Sequence, residues 1–249
     1  MTSGARESRV VTSTDRAGAR VRRPRHQRRG EARLPAAVVV ILAALLYLAL
    51  PAQLLVGPRY VVPAVELLLL VPLTAFNPGR VTRQTKLSRV LSLSLVAVIA
   101  LTNLVALGLL IHDLVTAQSG NGQALLLGAL QVWLTNIIAF GLAYWELDRG
   151  GPVRRTQSAR ANLPLADFRF SQDENHDTVE EVADGSSKQA DWVPTLVDYL
   201  YVSVTNSTAF SPTDTMPLTT RAKAMMATQS VAALLTSLLV IARAVSVLH

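Results

Sequence analysis

Four stretches, Leu34 to Val56, Val90 to Ile111, Gln123 to Trp145 and Ala224 to Leu248, carry one charged residue between them, Arg243. Each meets or exceeds the roughly 20 residues that, at about 1.5 Å per residue, cross a hydrocarbon core about 30 Å thick. A fifth run, Tyr60 to Phe76, is only just long enough. Half of the 249 residues are apolar, and apolar residues clustered this way belong in a bilayer, where backbone that pairs within its own helix is the economical solution. The fold predicted is all-α: a polytopic membrane bundle of about six helices.

Charge orients the bundle. The formal net charge of +7 equals the balance of the first 35 residues alone, where ten arginines face Glu7, Asp15 and Glu31. Lys and Arg in short flanking segments stay cytoplasmic, so the tail reads as a cytoplasmic topology determinant. Its cations suit anionic lipid headgroups, at about 1 kcal/mol each near a surface; nucleic acid is the less favoured partner. A cleavable signal peptide fits poorly, because the basic region and the apolar run after it are both too long. The loop Asn77 to Arg89 carries Arg80, Arg83, Lys86 and Arg89 with no acid, whereas His112 to Gly122 has no Lys or Arg. That alternation places the first four crossings as two hairpins in what is expected to be a bacterial inner membrane.

Four regions follow: a basic disordered tail over 1–33, a four-helix membrane region over 34–145, a partly disordered cytoplasmic loop over 146–193, and a C-terminal unit over 194–249. In the loop, Asp173, Asn175, Asp177 and Asp184 imitate calcium-loop spacing, but Thr178 stands where glycine is needed, so the run reads as a solvated acidic linker. The segment from Pro194 to Phe210 can cross fully, giving six crossings, or dip in and return, giving five. Arg221 and Lys223 favour five and Arg243 favours six; six is preferred.

The segment DYLYVSVTNSTAFSPTDTMPLT, Asp198 to Thr219, resembles the pore helix, filter and inner helix of two-span potassium channels. It has an aromatic-rich short helix, a Ser/Thr run ending at Thr208, and an acid at Asp214 before a long apolar helix. The candidate pore-like turn is Thr208, Ser211, Thr213 and Asp214. Where such filters place two glycines, this chain has none, and Pro212 fixes its own φ, so potassium selectivity is not expected. Asp214 reads as a turn cap, and Asp198 as interfacial. Over its last four crossings the chain resembles an uncharacterised bacterial family of multi-spanning integral membrane proteins. Tyr144, Trp145, Glu146, Asp148, Arg149, Gly150, Gly151 and Pro152 carry that resemblance, followed by Asp167, Phe168 and Phe170. It implies architecture without an activity. From the residues themselves, Tyr144 and Trp145 read as an aromatic belt, with the glycines and Pro152 stopping the helix.

Polar residues inside apolar runs are the functional candidates, because an ionisable group in hydrocarbon is costly and faces a partner or a cavity. Glu66 lies about 9 Å from the outer ends, Asn103 and Gln131 about 12 Å, and Gln229 about 9 Å if there are six crossings. Together they predict an outer polar layer for a proton, a cation or a small polar solute. Interhelical hydrogen bonding is the alternative, with Glu66 reaching toward Arg59. No cysteine is present, and His26, His112, His176 and His249 are scattered. No enzyme activity, metal or cofactor is therefore expected. The function class expected is channel-like or transporter-like, against a non-conducting scaffold, and one copy of the C-terminal segment can line a pore only as a homo-oligomer.

Overall fold

The apolar runs fold as helices in a computed structural model that describes residues 30–116, 122–159, 162–174, 185–186, 192–208 and 215–247. The helices are α1 (Arg33–Leu48), α2 (Val61–Phe76), α3 (Lys86–Thr116), α4 (Gly122–Leu147), α5 (Pro152–Gln157), α6 (Leu196–Thr208) and α7 (Thr220–Val247). Two short antiparallel ladders join them: β1 (Glu31–Ala32) with β2 (Arg80–Val81), and β3 (Phe168–Arg169) with β4 (Met216–Pro217).

Three helices are long and apolar enough to cross a membrane, at Lys86–Thr116, Gln123–Gly150 and Thr220–Ile241. Helices α1 and α2 are apolar but have 16 residues each, about 24 Å of rise. The first run is shortened because Pro51 has no N–H and biases Leu50 away from helix. The corner is then clamped: the Tyr47 hydroxyl donates to the Val56 carbonyl at 3.2 Å and accepts its N–H at 3.0 Å. Leu68, Leu101, Leu127 and Leu238 are all more than half exposed, an outward surface suited to lipid and not to water.

Two apolar clusters stack along the bundle. One holds Ala36, Val40, Leu70, Ile99, Leu142, Tyr199 and Ala222; the other holds Tyr47, Leu54, Val62, Leu110, Leu125 and Ala232. The first lies nearer the end where Arg33, Arg80, Arg89 and Arg149 gather, called here the basic end. Because Ala222 belongs to the first cluster and Ala232 to the second, α7 runs away from the basic end.

That direction corrects the preferred count of six crossings. Helix α6 starts at the basic end, where the Leu196 N–H donates to Glu31 Oε1 at 2.5 Å, and runs antiparallel to α4, with Ser203 Oγ donating to the Ile137 carbonyl at 2.7 Å. Gly141 permits this contact, since a Cβ there would sit 2.7 Å from the Leu200 side chain. Yet the chain is back at the basic end by β4, where Met216 pairs with Arg169, and the Leu218 N–H donates to the Asp167 carbonyl at 2.8 Å. Helices α6 and α7 thus enter the bundle from the same end, and α6, at 13 residues, rises only about 20 Å.

Two of the four regions also contain ordered stretches. The end of the basic tail is ordered: β1 pairs with β2, and the Arg33 N–H donates to the Gly79 carbonyl at 3.2 Å. The loop over 146–193 contributes a packed stretch ahead of its acidic run, because Phe168 is fully buried and Asp167 nearly so. Asn175, Asp177, Thr178 and Asp184 lie outside the described residues, as do Ser211, Pro212, Thr213 and Asp214 of the pore-like turn.

Candidate functional site

The polar residues of the bundle fall into three groups at different levels.

At the basic end, α4 terminates in a left-handed turn. Gly150 and Gly151 have φ of 78° and 94°, and Arg149 itself has φ 52°. A non-glycine residue is held there against a cost of about 1–2 kcal/mol by its own bonds: Arg149 Nη2 donates to Asp173 Oδ2 at 2.8 Å and to the Phe168 carbonyl at 3.3 Å. Asp148, with no exposed surface, organises the turn. Its Oδ1 accepts the Asp167 N–H at 2.7 Å and the Phe168 N–H at 3.4 Å, while Oδ2 accepts the Tyr199 hydroxyl. Asp167 in turn receives the Thr219 hydroxyl and the Arg221 guanidinium, which tie the start of α7 to the same point.

Arg155 sits at the centre, 1% exposed. Its Nε donates to the Pro194 carbonyl at 3.1 Å, and its Nη1 to the carbonyls of Trp145 and Asp148 at 3.0 and 3.1 Å. The guanidinium carbon lies 4.8 Å above the Tyr199 ring, and Nη2 is 3.7 Å from Glu31 Oε2. The Trp145 and Asp148 carbonyls are left over where α4 ends, so Arg155 caps that end and ties it to the Pro194 carbonyl just ahead of α6. Glu31 also accepts Trp145 Nε1–H at 2.8 Å. Burial raises the Glu31 carboxyl above its ordinary 4.5, outweighing the opposing pull of Arg155, the Trp145 indole and the Leu196 amide.

The aromatic residues near this turn are core, not an interfacial belt. Tyr144 and Trp145 are 0% and 2% exposed, and the Tyr144 ring packs edge-on against Phe168 at 4.9 Å. The competing pull is the Asp148 network, which draws Phe168 underneath them. Asp198 caps α6, with its Oδ2 accepting the Thr195 N–H at 2.7 Å and the Thr195 hydroxyl at 2.8 Å.

One level further in, α4, α6 and α7 share a hydrogen-bonded cluster around Gln229, which has no exposed surface. Its Oε1 accepts the Tyr144 hydroxyl at 2.5 Å and Asn206 Nδ2 at 2.9 Å. Its Nε2 faces the Ser203 carbonyl at 2.9 Å, Ser203 Oγ at 2.6 Å and Ser207 Oγ at 2.8 Å, of which its two hydrogens serve two at a time. Ser230 Oγ donates to Asn206 Oδ1 at 3.0 Å. The cluster closes the polar end of α6, where Thr208 Oγ1 donates to the Thr205 carbonyl at 3.0 Å. Gln229 was expected in the outer layer; because α7 runs from the basic end, it sits beside Tyr144 instead. Asn206 and the three serines were not singled out from sequence, although their spacing at 203, 206 and 207 marks one face of a helix.

The third group includes Glu66 and Asn103. Glu66 on α2 is 2% exposed and Asn103 on α3 is 7% exposed. Both lie where the two apolar clusters meet, Glu66 between Val62 and Leu70, Asn103 between Ile99 and Ala106. Among the described residues, Glu66 Oε2, Gln131 Oε1 and Asn136 Nδ2 are buried without a hydrogen-bond partner. Glu66 does not reach Arg59, whose Nη1 donates to the Leu48 carbonyl at 2.6 Å and closes the end of α1.

Among the described residues, no cluster of His, Asp and Glu could hold a metal ion. A cavity of about 350 Å³ at the basic end is lined by Arg149, Arg155, Pro164, Asp173 and Trp192. In comparisons with known proteins, no family model, no curated protein and no solved structure matches this chain.

Proposed function

We propose that this chain is a five-crossing integral membrane protein that handles a cation or a small polar solute in channel-like or transporter-like fashion. Helices α1, α2, α3, α4 and α7 are the crossings, and α6 is a half-membrane helix entering from the cytoplasmic side. The membrane is a bacterial inner membrane, with the tail before α1 cytoplasmic. The chain carries no enzyme activity and acts as a homo-oligomer in which α6 and α7 of several copies meet.

The observation that carries this reading is the shared entry point of α6 and α7. A helix that stops partway through hydrocarbon leaves carbonyl groups without intrahelical partners, an arrangement tolerated only where protein or a water-filled cavity surrounds it. Half-helices of that kind place polar ends near the midplane, where transported species are bound. The end of α6 supplies Ser203, Asn206 and Ser207 there, and Glu66 supplies a buried carboxyl elsewhere in the interior.

A non-conducting scaffold is the second reading, favoured by one feature: Gln229 and its partners are fully bonded to one another, as in a static interhelical lock. Proton and cation flux into liposomes separates the two. Transport predicts wild-type flux above empty liposomes and a severalfold loss in Glu66→Gln. Flux equal to empty liposomes favours the scaffold, and flux above empty liposomes but equal in both proteins removes Glu66 from the path.

A further inference from the structure

Arg33 opens α1 and is 6% exposed, yet its Nε is buried with no hydrogen-bond partner among the described residues. It lines a cleft at the basic end together with Asn77, Arg83, Arg89, Ser92 and Glu146. Glu146 is the carboxylate of this set, and both its oxygens are already engaged. Arg89 Nη1 donates to Oε2 at 2.6 Å, and the Ser92 hydroxyl donates to Oε1. Asn77 is likewise spent, accepting the N–H groups of Thr82 and Arg83 and donating to the Arg83 carbonyl at 3.0 Å. The cleft therefore holds three guanidinium groups against one carboxylate, and the most buried of the three lacks a bonded counter-ion.

A buried N–H without an acceptor costs more than a bonded one contributes, so Arg33 Nε is left with capacity for an acceptor from outside the chain. The enclosed space is about 20 Å³, room for about one water-sized atom. A single anionic oxygen fits, with the rest of its group outside against exposed Arg83. The crevice beyond, between Val40, Leu70, Leu95 and Leu142, is apolar and only about 10 Å³, so the anion stops at Arg33. Planar guanidinium donors at a membrane surface match phosphate oxygens better than an ammonium would.

We propose that this cleft binds a phosphate group at the basic face of the bundle, with one of its oxygens seated against Arg33 and the others met by Arg83 and Arg89. The phosphate comes either from an anionic lipid headgroup or from free phosphate.

The test is the thermal midpoint of the detergent-purified full chain with added phosphatidylglycerol, phosphatidylcholine of the same acyl chains, or inorganic phosphate, for wild type, Arg33→Gln, Arg83→Gln and Lys223→Gln. Phosphatidylglycerol should raise the wild-type midpoint and phosphatidylcholine should not, with apparent affinity at least roughly tenfold weaker in Arg33→Gln. Arg83→Gln should lose part of the rise, and Lys223→Gln, exposed on α7, should keep it. Without additive, Arg33→Gln should unfold no earlier than wild type, because it removes an unpaired buried charge; a purely structural arginine would do the reverse. A full rise with inorganic phosphate assigns the free anion, and a rise confined to phosphatidylglycerol assigns the lipid. No rise with either, an equal rise with phosphatidylcholine, or an undiminished rise in Arg33→Gln overturns the proposal.

Discussion

Asp148 and Glu66 are equally inaccessible, but they are solvated by the protein in opposite ways. Asp148 has donors on both oxygens, two backbone amides and a tyrosine hydroxyl, with Arg149 3.6 Å away. Glu66, deeper along the bundle, leaves Oε2 with none, and Gln131 and Asn136 show the same deficit. The contrast follows from where loose backbone is available. At the basic end α1, α3, α6 and α7 start and α2 and α4 stop, so terminal amides and carbonyls surround any side chain placed there. In the middle of α2, α3 and α4 most backbone groups are committed within their own helices, so a side chain there meets few free amides or carbonyls. Polar groups at the basic end thus fix the fold, whereas Glu66, Gln131 and Asn136 are left with bonding capacity for something else.

The comparison can be broken first at Arg155. Arg155→Met strips three carbonyls of their donor at once and should cost about 3–5 kcal/mol in detergent denaturation; a loss below about 1 kcal/mol would mean that the basic end is not locked as described. Gln229→Leu should cost less, roughly 1–2 kcal/mol at about 0.6 kcal/mol per interhelical bond, read as a lower unfolding midpoint with helix content kept. Glu66→Gln should leave the midpoint unchanged or slightly higher, since an unbonded carboxyl contributes nothing to lose. A marked destabilisation there would show that Glu66 is as structural as Asp148.

The smallest effect expected is a pH slope from Glu31. Burial places its folded carboxyl above the ordinary 4.5, so its contribution is complete below that unfolded value and declines as pH rises through the folded one. Wild type should lose a little stability from mildly acidic to neutral pH, and Glu31→Gln should flatten that part of the curve.

The helices themselves were legible, because long uncharged runs have one solution in lipid. Helix α4 spans Gly122–Leu147 against an expected Gln123 to Trp145, and α3, Lys86–Thr116, extends its expected run of Val90 to Ile111 at both ends. The direction of α7 was not legible. Arg221 and Lys223 pointed to the same side as the tail, but Arg243 offset them in a simple charge count. What decides is that Arg221 is bound to Asp167 and to the Leu147 carbonyl, a contact 54 residues apart along the chain that no local pattern encodes. The same reason hid the role of Tyr144 and Trp145. At a helix end an aromatic pair suits a bilayer interface, and only the chain returning through Phe168 turns it into core. The pairing of Gln229 with Tyr144 depended on the direction of α7 and was missed with it.

Sidedness tests the central claim, that α6 and α7 enter from one face, most directly. The chain has no cysteine, so single cysteines can be placed at Thr195→Cys, Leu218→Cys and His249→Cys and labelled with a membrane-impermeant maleimide in sealed, oriented vesicles. The account predicts that positions 195 and 218 react from the same side and position 249 from the opposite one. Labelling of 195 and 218 from opposite sides, with 249 on the side of 195, would mean that α6 crosses fully and would contradict it.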